Sequence, residues 1–380
     1  MTFKILSLDG GGIRGVITAR ILEEVEKKVQ AIHGKKLNEY FDLIAGTSTG
    51  SILAAGLVIG KSASQLKNLY LTEGRTIFPK RSGFVDSLWD KVPLLPFRGP
   101  KYSHDGLIEV LKKNLHHDNF GDMKIGQIKE YHKISNSQAN LLILAYDTLN
   151  RNTTFFLSKH DSSRGRWYDH TELWKICVCS ASAPTFFPPY EIRWTDSRDE
   201  TKTEYKFPHV DGGVAANNPS LAALIHVMQT EKQKLEDISI LSIGTGRTTE
   251  PYEYRAVNSW KMLDWAQKIP NVFMGSQLQL FSDLCGQIIT SDERTSYLRL
   301  QFDLNNIFGE RKNNYSPRPL LTLTKEQKKL EQMDDASQEN IDKLLEITRT
   351  YLNDGKKIDE GKEIKSGKTD SIEKFIKDNK

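Results

Sequence analysis

The stretch Gly46-Thr47-Ser48-Thr49-Gly50 sets one serine between two glycines. An apolar run, Tyr40-Phe41-Asp42-Leu43-Ile44-Ala45, precedes it, and a helical run from Ser51 to Ile59 follows. This is the strand–turn–helix setting of a G-x-S-x-G nucleophile elbow. The glycines let backbone crowd around a serine held on a tight turn. The start of the following helix favours negative charge near its oxygen. The chemistry implied is attack of a serine oxygen on a carbonyl.

A second constellation lies near the start. Phe3–Leu8 reads as a buried strand, and Asp9-Gly10-Gly11-Gly12-Ile13-Arg14-Gly15 follows it. A helix is expected from about Val16 to Ile32, with Ile17, Ile21, Val25 and Val29 on one face. Gly10, Gly12 and Gly15 satisfy G-x-G-x-x-G, which would suit a dinucleotide-binding oxidoreductase. That fingerprint wants an acidic residue at the end of the next strand, whereas here the next strand ends in the Ser48 elbow. A row of glycines at a helix start also presents backbone N–H groups suited to the oxyanion of a tetrahedral acyl intermediate. Beside a serine elbow, the loop fits acyl transfer better than hydride transfer.

The third is Pro208-His209-Val210-Asp211-Gly212-Gly213-Val214-Ala215-Ala216-Asn217-Asn218-Pro219. Asp211 closes a short strand, two glycines turn the chain, and a helix is expected from about Ser220 to Thr230. An isolated Asp-Gly-Gly is an ordinary turn; its meaning here comes from the other two motifs.

Together these segments resemble the patatin-like phospholipases, a family of lipid acyl hydrolases. The matches are Asp9–Gly15, Gly46–Gly50 and Asp211–Gly213 in the family's order. Ser180-Ala-Ser-Ala-Pro-Thr-Phe-Phe-Pro-Pro189, Asn217-Asn-Pro219 and Leu241-Ser-Ile-Gly-Thr-Gly246 support them. The resemblance runs from residue 3 to about 303. It implies a Ser–Asp dyad, with Ser48 as nucleophile and Asp211 as base, and an oxyanion hole built from Gly10, Gly11 and Gly12. It implies that Arg14 shapes that loop or meets the lipid phosphate as a substrate-binding residue. The implied substrate is a phospholipid or another acyl-lipid ester, with no metal and no organic cofactor. Bacterial members include antiphage effectors activated by a cyclic oligonucleotide, and this compact chain is similar to those. A small nucleotide activator is therefore one expectation, and a homodimer another. A non-catalytic lipid-binding or storage protein on the same fold is the alternative, against which the intact Ser48 and Asp211 count.

The residues agree with a dyad. A serine needs a base on attack, and burial raises the basicity of a carboxylate. A triad in the order serine, acid, histidine would require a histidine after Asp211. His226 alone lies there, inside an apolar helical run. His209 sits two residues before Asp211, on the same face of its strand.

The elements that must position these groups alternate. Strands are expected at about 3–9, 40–46, 139–147, 153–158, 207–211 and 238–244, and helices at 64–75, 103–114 and 169–180. This pattern predicts an α/β fold, a three-layer α/β/α sandwich with a central, mostly parallel sheet. An acyl-hydrolase domain over 1–303 and a helical extension with a charged tail over 304–380 are expected, the latter with a polar helix at 324–353 and a mobile tail or short helix after Asn353. Residues 78–100 mix Phe84, Trp89 and Phe97 with Lys80, Arg81, Lys91 and Arg98, which suits a lid or membrane-docking loop, the alternative being a connector packed on the domain. Trp260–Ser291 has helical spacing of Met, Trp, Ile, Phe and Leu that suits core, groove cover or dimer face.

Composition sets the frame. The 380 residues are 38% hydrophobic, with a mean hydropathy of −0.50. The 53 basic and 49 acidic residues give a net charge of +4, too small an excess for a nucleic-acid polymer as partner. The three cysteines, Cys177, Cys179 and Cys285, are sparse and odd in number, as in a reducing compartment. Met1 leads directly into the first strand, so no signal peptide is expected, and no apolar run reaches membrane-spanning length. The expected location is the cytoplasm, with peripheral membrane contact.

Overall fold

Phe3–Leu8 (β1) and Leu43–Thr47 (β2) are buried along almost their whole length. In the computed structural model they pair as parallel neighbours at the centre of the molecule. The structure describes residues 2–80, 99–160, 165–196, 201–248, 252–289, 294–305, 323–353, 357–359, 362–364 and 368–380. Most of the stretch expected to form a lid, 81–98, lies outside the described residues.

Six further strands complete the main sheet: β3 (Asn140–Asp147), β4 (Asn152–Leu157), β5 (Tyr190–Thr195), β6 (Glu204–Asp211), β7 (Ile238–Ile243) and β8 (Tyr297–Leu300). Their order is β8-β7-β1-β2-β3-β6-β5, with β4 also paired to β3. The five strands from β8 to β3 are parallel. The β4–β3, β6–β3 and β5–β6 pairs are antiparallel. The sheet is therefore mixed, with a parallel centre whose near-continuous apolar runs are what two covered faces require. β5 and β8 are not expected from the sequence. Both flank the sheet and are only partly buried, so neither carries a clear apolar signature.

Helices cover both faces. The first carries α1 (Gly15–His33), α2 (Thr49–Val58), α3 (Ala63–Ile77), α4 (Asp105–Asn114) and α5 (Leu173–Ala181). On the other lie α6 (Ser220–Thr230) and the end of α7 (Met262–Ile288), packed on Ile5, Leu43, Leu142, Leu144 and Ile240. The alternation of strand side chains divides the two cores: Leu6 and Leu8 face one layer, Ile5 the other.

The C-terminal residues join the first core. The polar stretch expected at 324–353 is a short helix, Lys325–Leu330, and α8 (Gln338–Asn353). The last residues form α9 (Lys368–Asp378), a packed helix rather than a tail. Ile341, Leu344, Leu352, Ile372, Phe375 and Ile376 are buried against the face that carries α1. Three apolar residues at helical spacing in α9 suffice to seat it.

Candidate active site

The elbow is built by close backbone approach. A Cβ on Gly46 would run into the Gly50 carbonyl, and one on Gly50 into the Leu8 carbonyl. Glycine at both positions lets the first turn of α2 sit directly on the ends of β1 and β2. Ser48 is held at φ 54°, ψ −125°, in the positive-φ region that a non-glycine residue adopts only when its surroundings impose it. The Ser48 carbonyl is fixed by the N–H of Ser51 at 2.9 Å and its hydroxyl at 2.6 Å. The serine itself is 8% exposed.

Asp211 arrives from the opposite direction. β3 has three strand partners, and a strand has only two edges. β4 pairs along Leu142–Asp147 on one edge. β2 takes Asn140–Leu144 of the other, and β6 takes Ala145–Asp147. On that shared edge, β2 and β6 run towards each other and stop at adjacent positions, Thr47 opposite Leu144 and Asp211 opposite Ala145. The Ser48 hydroxyl lies close enough to the Asp211 carboxylate to favour its ionised form. The Gly213 N–H donates to Asp211, at 2.7 Å. Burial pushes the Asp211 carboxyl up from its ordinary 3.8 to about 6, while Ser48 and the Gly213 N–H pull it the other way. Such a group is ionised at neutral pH yet more basic than an exposed carboxylate, as proton abstraction requires.

The glycine loop lies against the elbow. A Cβ on Gly10 would come within 3.0 Å of the Ser48 Cβ. Just before it, buried Asp9 forms a two-pronged ion pair with Arg299, whose Nη1 also donates to Ser242 Oγ at 2.7 Å. The Gly10 carbonyl accepts from Thr245 Oγ1 at 2.8 Å and Asn217 Nδ2 at 3.3 Å. The Gly10 N–H donates to the Asn217 carbonyl at 3.1 Å. Of the three expected oxyanion donors it is thus already engaged. The Gly11 and Gly12 N–H groups have no acceptor among the described residues. Gly12 has φ +60°, and a Cβ there would meet the Met333 carbonyl. That carbonyl takes the Ile13 N–H at 2.8 Å.

Arg14 is buried rather than turned to a cleft. Its Nη1 reaches the Glu331 carbonyl at 3.4 Å, and burial pushes its guanidinium down to about 10. The placement favours loop shaping over contact with a lipid phosphate.

Neither histidine weighed for a triad lies free. His209 is fully buried, with Nε2 on Thr154 Oγ1 at 2.9 Å and Nδ1 on the Phe207 carbonyl at 2.9 Å. His226 bonds Thr230 at 3.2 Å on α6. Ser180, Asn217 and Thr245 instead touch the elbow or loop. None carries a role on sequence grounds, although each lies in a segment that matches the family pattern. Which atoms those segments face is a matter of packing.

Known proteins resemble the chain over much of its length. The family model described as patatin-like phospholipase matches residues 6–224. Patatin-like protein 1 of Arabidopsis thaliana is 34% identical over 286 residues, covering 69% of this chain and 63% of that one. Patatin-like protein 2 of Oryza sativa subsp. indica is 27% identical over 379 residues, covering 92% of this chain and 83% of that one. A cGAMP-activated phospholipase of Vibrio cholerae is 32% identical over 253 residues, 64% of each chain. Among solved structures, human GIVD cytosolic phospholipase A2 aligns over all of this chain and 60% of its own, with a TM-score of 0.48 and 10% identity. The family match spans more than half of the 380 residues, and the chain belongs to the patatin-like phospholipase family of lipid ester hydrolases.

Proposed function

We propose that the chain cleaves acyl esters of membrane phospholipids through the Ser48–Asp211 dyad. The observation that carries this reading is the placement of Ser48 beside the buried Asp211 carboxylate, where two strands meet on one edge of β3. Ser48 Oγ attacks the ester carbonyl as its proton passes to Asp211. The Gly11 and Gly12 N–H groups face the oxyanion so formed. Collapse of the tetrahedral intermediate expels the lysophospholipid alcohol, which takes the proton back from Asp211 and leaves an acyl-Ser48. Water then attacks the acyl-enzyme, gives its proton to Asp211, and fatty acid leaves as Ser48 is reprotonated. Fatty-acid release from mixed phospholipid vesicles and turnover of a short p-nitrophenyl ester, by wild type and Ser48→Ala, test the reading. Both activities should vanish in the variant; persistence of either refutes the mechanism.

Contact with the bilayer is the second part of the reading, with the cytoplasm as location. Met262, Trp265, Val272, Phe273 and Leu280 are all exposed on α7, within an arc of about 100° at 3.6 residues per turn. Beyond this arc the helix approaches the base: Gln277 donates to the Val214 carbonyl, and Met274 lies beside Gly213. Trp265 stacks edge-on with Trp260, Trp260 with Tyr252, and the Lys268 ammonium lies over the Tyr252 ring. Trp, Tyr and Lys together suit the headgroup layer of a membrane. Among the described residues no helix is long and apolar enough to cross one.

The regulatory part rests on the Vibrio cholerae relative, a cGAMP-activated phospholipase. By that likeness this chain is an effector switched on by a cyclic oligonucleotide, with antiphage defence as its role. Titration with cyclic dinucleotides, read as vesicle hydrolysis and as sedimentation, tests both the activator and a homodimer.

A further inference from the structure

The end of β2 departs from its ladder at one rung, and a side chain from another helix fills it. Asn140 is paired with Leu43, and its N–H donates to the Asp42 carbonyl at 2.9 Å. In a parallel ladder this fixes the phase. The carbonyls of Asn140, Leu142 and Leu144 face β2 and should receive the N–H groups of Ile44, Gly46 and Ser48 in turn. The last of these bonds is replaced. The Ser48 N–H donates instead to the hydroxyl of Ser180, at 2.9 Å. That hydroxyl donates onward to the Leu144 carbonyl, at 2.6 Å. Ser180 is fully buried near the end of α5.

The same turn of α5 holds the base. Its last carbonyls have no partner within the helix. The Ser180 carbonyl accepts the Gly212 N–H at 3.2 Å, and the Ser182 carbonyl accepts the Asp211 N–H at 2.9 Å. One helix end is thus bonded to the backbone of both nucleophile and base at the point where β2 and β6 meet.

We propose that Ser180 is a positioning residue whose hydroxyl, inserted as a spacer in the β2–β3 ladder, holds Ser48 off its strand and within reach of Asp211. Without the spacer, the Ser48 N–H and the Leu144 carbonyl are free to bond directly. The elbow then flattens by the width of one hydroxyl, and the Ser48 side chain is carried away from the carboxylate. A hydroxyl is required because only such a group can accept from the N–H and donate to the carbonyl in so small a space. This inference rests on the dyad reading above and adds to it the element that sets the distance between its members.

The test uses the full chain with Ser180→Ala and Ser180→Thr, which keeps the hydroxyl. Thr348→Ala serves as a control, removing a comparable buried hydroxyl that donates within α8. Two readouts are taken across pH: kcat and KM on a short p-nitrophenyl ester, and the rate of Ser48 modification by a fluorophosphonate followed by intact mass. Ser180→Ala should lower kcat on the order of 100-fold, with KM little changed. Its acid limb should move to higher pH, because the influence of the Ser48 hydroxyl that pulls the Asp211 carboxyl down is weakened. Ser180→Thr should recover most of the rate and the wild-type limb. Thr348→Ala should lower Tm without moving the limb. An unchanged kcat and acid limb in folded Ser180→Ala overturns the proposal, and so does a loss of rate with no shift of the limb. Reaction that persists in Ser48→Ala signals failure of the dyad reading itself. An inert Ser48→Ala beside a normal Ser180→Ala removes only the spacer.

Discussion

Ser48 and Asp211 lie at the ends of two strands that share one edge of β3 and approach each other head-on. Leu144 and Ala145 are consecutive, so the residues paired to them, Thr47 and Asp211, stop at neighbouring positions. Ser48, the proposed nucleophile, is the next residue after Thr47. The spacing of the proposed dyad is set by strand register, which a sheet fixes firmly once one face is buried.

That relationship predicts opposite pH responses for activity and stability. Asp211 must be ionised to take a proton, so kcat/KM on a soluble ester should fall below about pH 6, the value to which burial pushes this group. Stability runs the other way. A carboxyl raised in the folded state contributes stability that is fully present below its unfolded value of 3.8 and lost as pH rises through about 6. Asp211→Asn should therefore abolish turnover while raising stability at pH 8 by about 1–3 kcal/mol. Urea unfolding at pH 8 and pH 4 checks this, since the gain should disappear at the lower pH.

Two glycines with similar backbone angles should respond differently. Gly12 has φ +60° with the Met333 carbonyl where a Cβ would go, and Gly34 has φ +67° with nothing nearby. Gly34→Ala should cost about 1–2 kcal/mol from its left-handed backbone alone and leave turnover intact. Gly12→Ala should displace the loop from Met333 and lower kcat at least tenfold. Paired thermal melts and ester kinetics separate the two effects; equal kcat in both variants contradicts the role given to the loop.

The thiols should be silent in the folded protein. All three cysteines are buried, and burial pushes the Cys177 thiol up to about 12 and that of Cys179 well above its ordinary value. Since the thiolate is the reactive form, labelling by a disulfide reagent at pH 8 should be slow in buffer and rapid for all three in denaturant. Fast labelling of Cys177 in buffer means that the packing of α5 beneath the elbow is looser than described.

The outer face of α7 should matter for membranes and not for chemistry. Phe273 and Leu280 are each 55% exposed. Phe273→Ser with Leu280→Ser should weaken binding to anionic phospholipid vesicles about tenfold or more, while turnover of a soluble ester stays within about twofold. Sedimentation of wild type and variant distinguishes a self-association face, for which the variant loses a dimer instead.

Much of the site is written locally. The Ser48 elbow, the glycine loop after β1 and the span of α6 are legible because each depends on short-range chemistry: glycine where backbone must crowd, apolar spacing along a helix, a turn after a strand. The charged C-terminal stretch shows the limit of composition. It reads as a tail or a short helix alike, and three apolar side chains that seat α9 on the core decide for the helix. The oxyanion loop shows another limit, because the Gly10 N–H that looks free in the sequence is bonded to the Asn217 carbonyl, 207 positions away.

The sequence alone determined which residues are candidates for the chemistry, since serine, aspartate and consecutive glycines sit in turns whose geometry is set by near neighbours. Only the tertiary structure decided how they meet. The sharing of one β3 edge by β2 and β6, and the reach of Ser180 across 132 positions to the Ser48 N–H, follow from strand register and helix packing. Those are contests among distant segments for the same hydrogen-bonding groups, and no local pattern announces which segment wins.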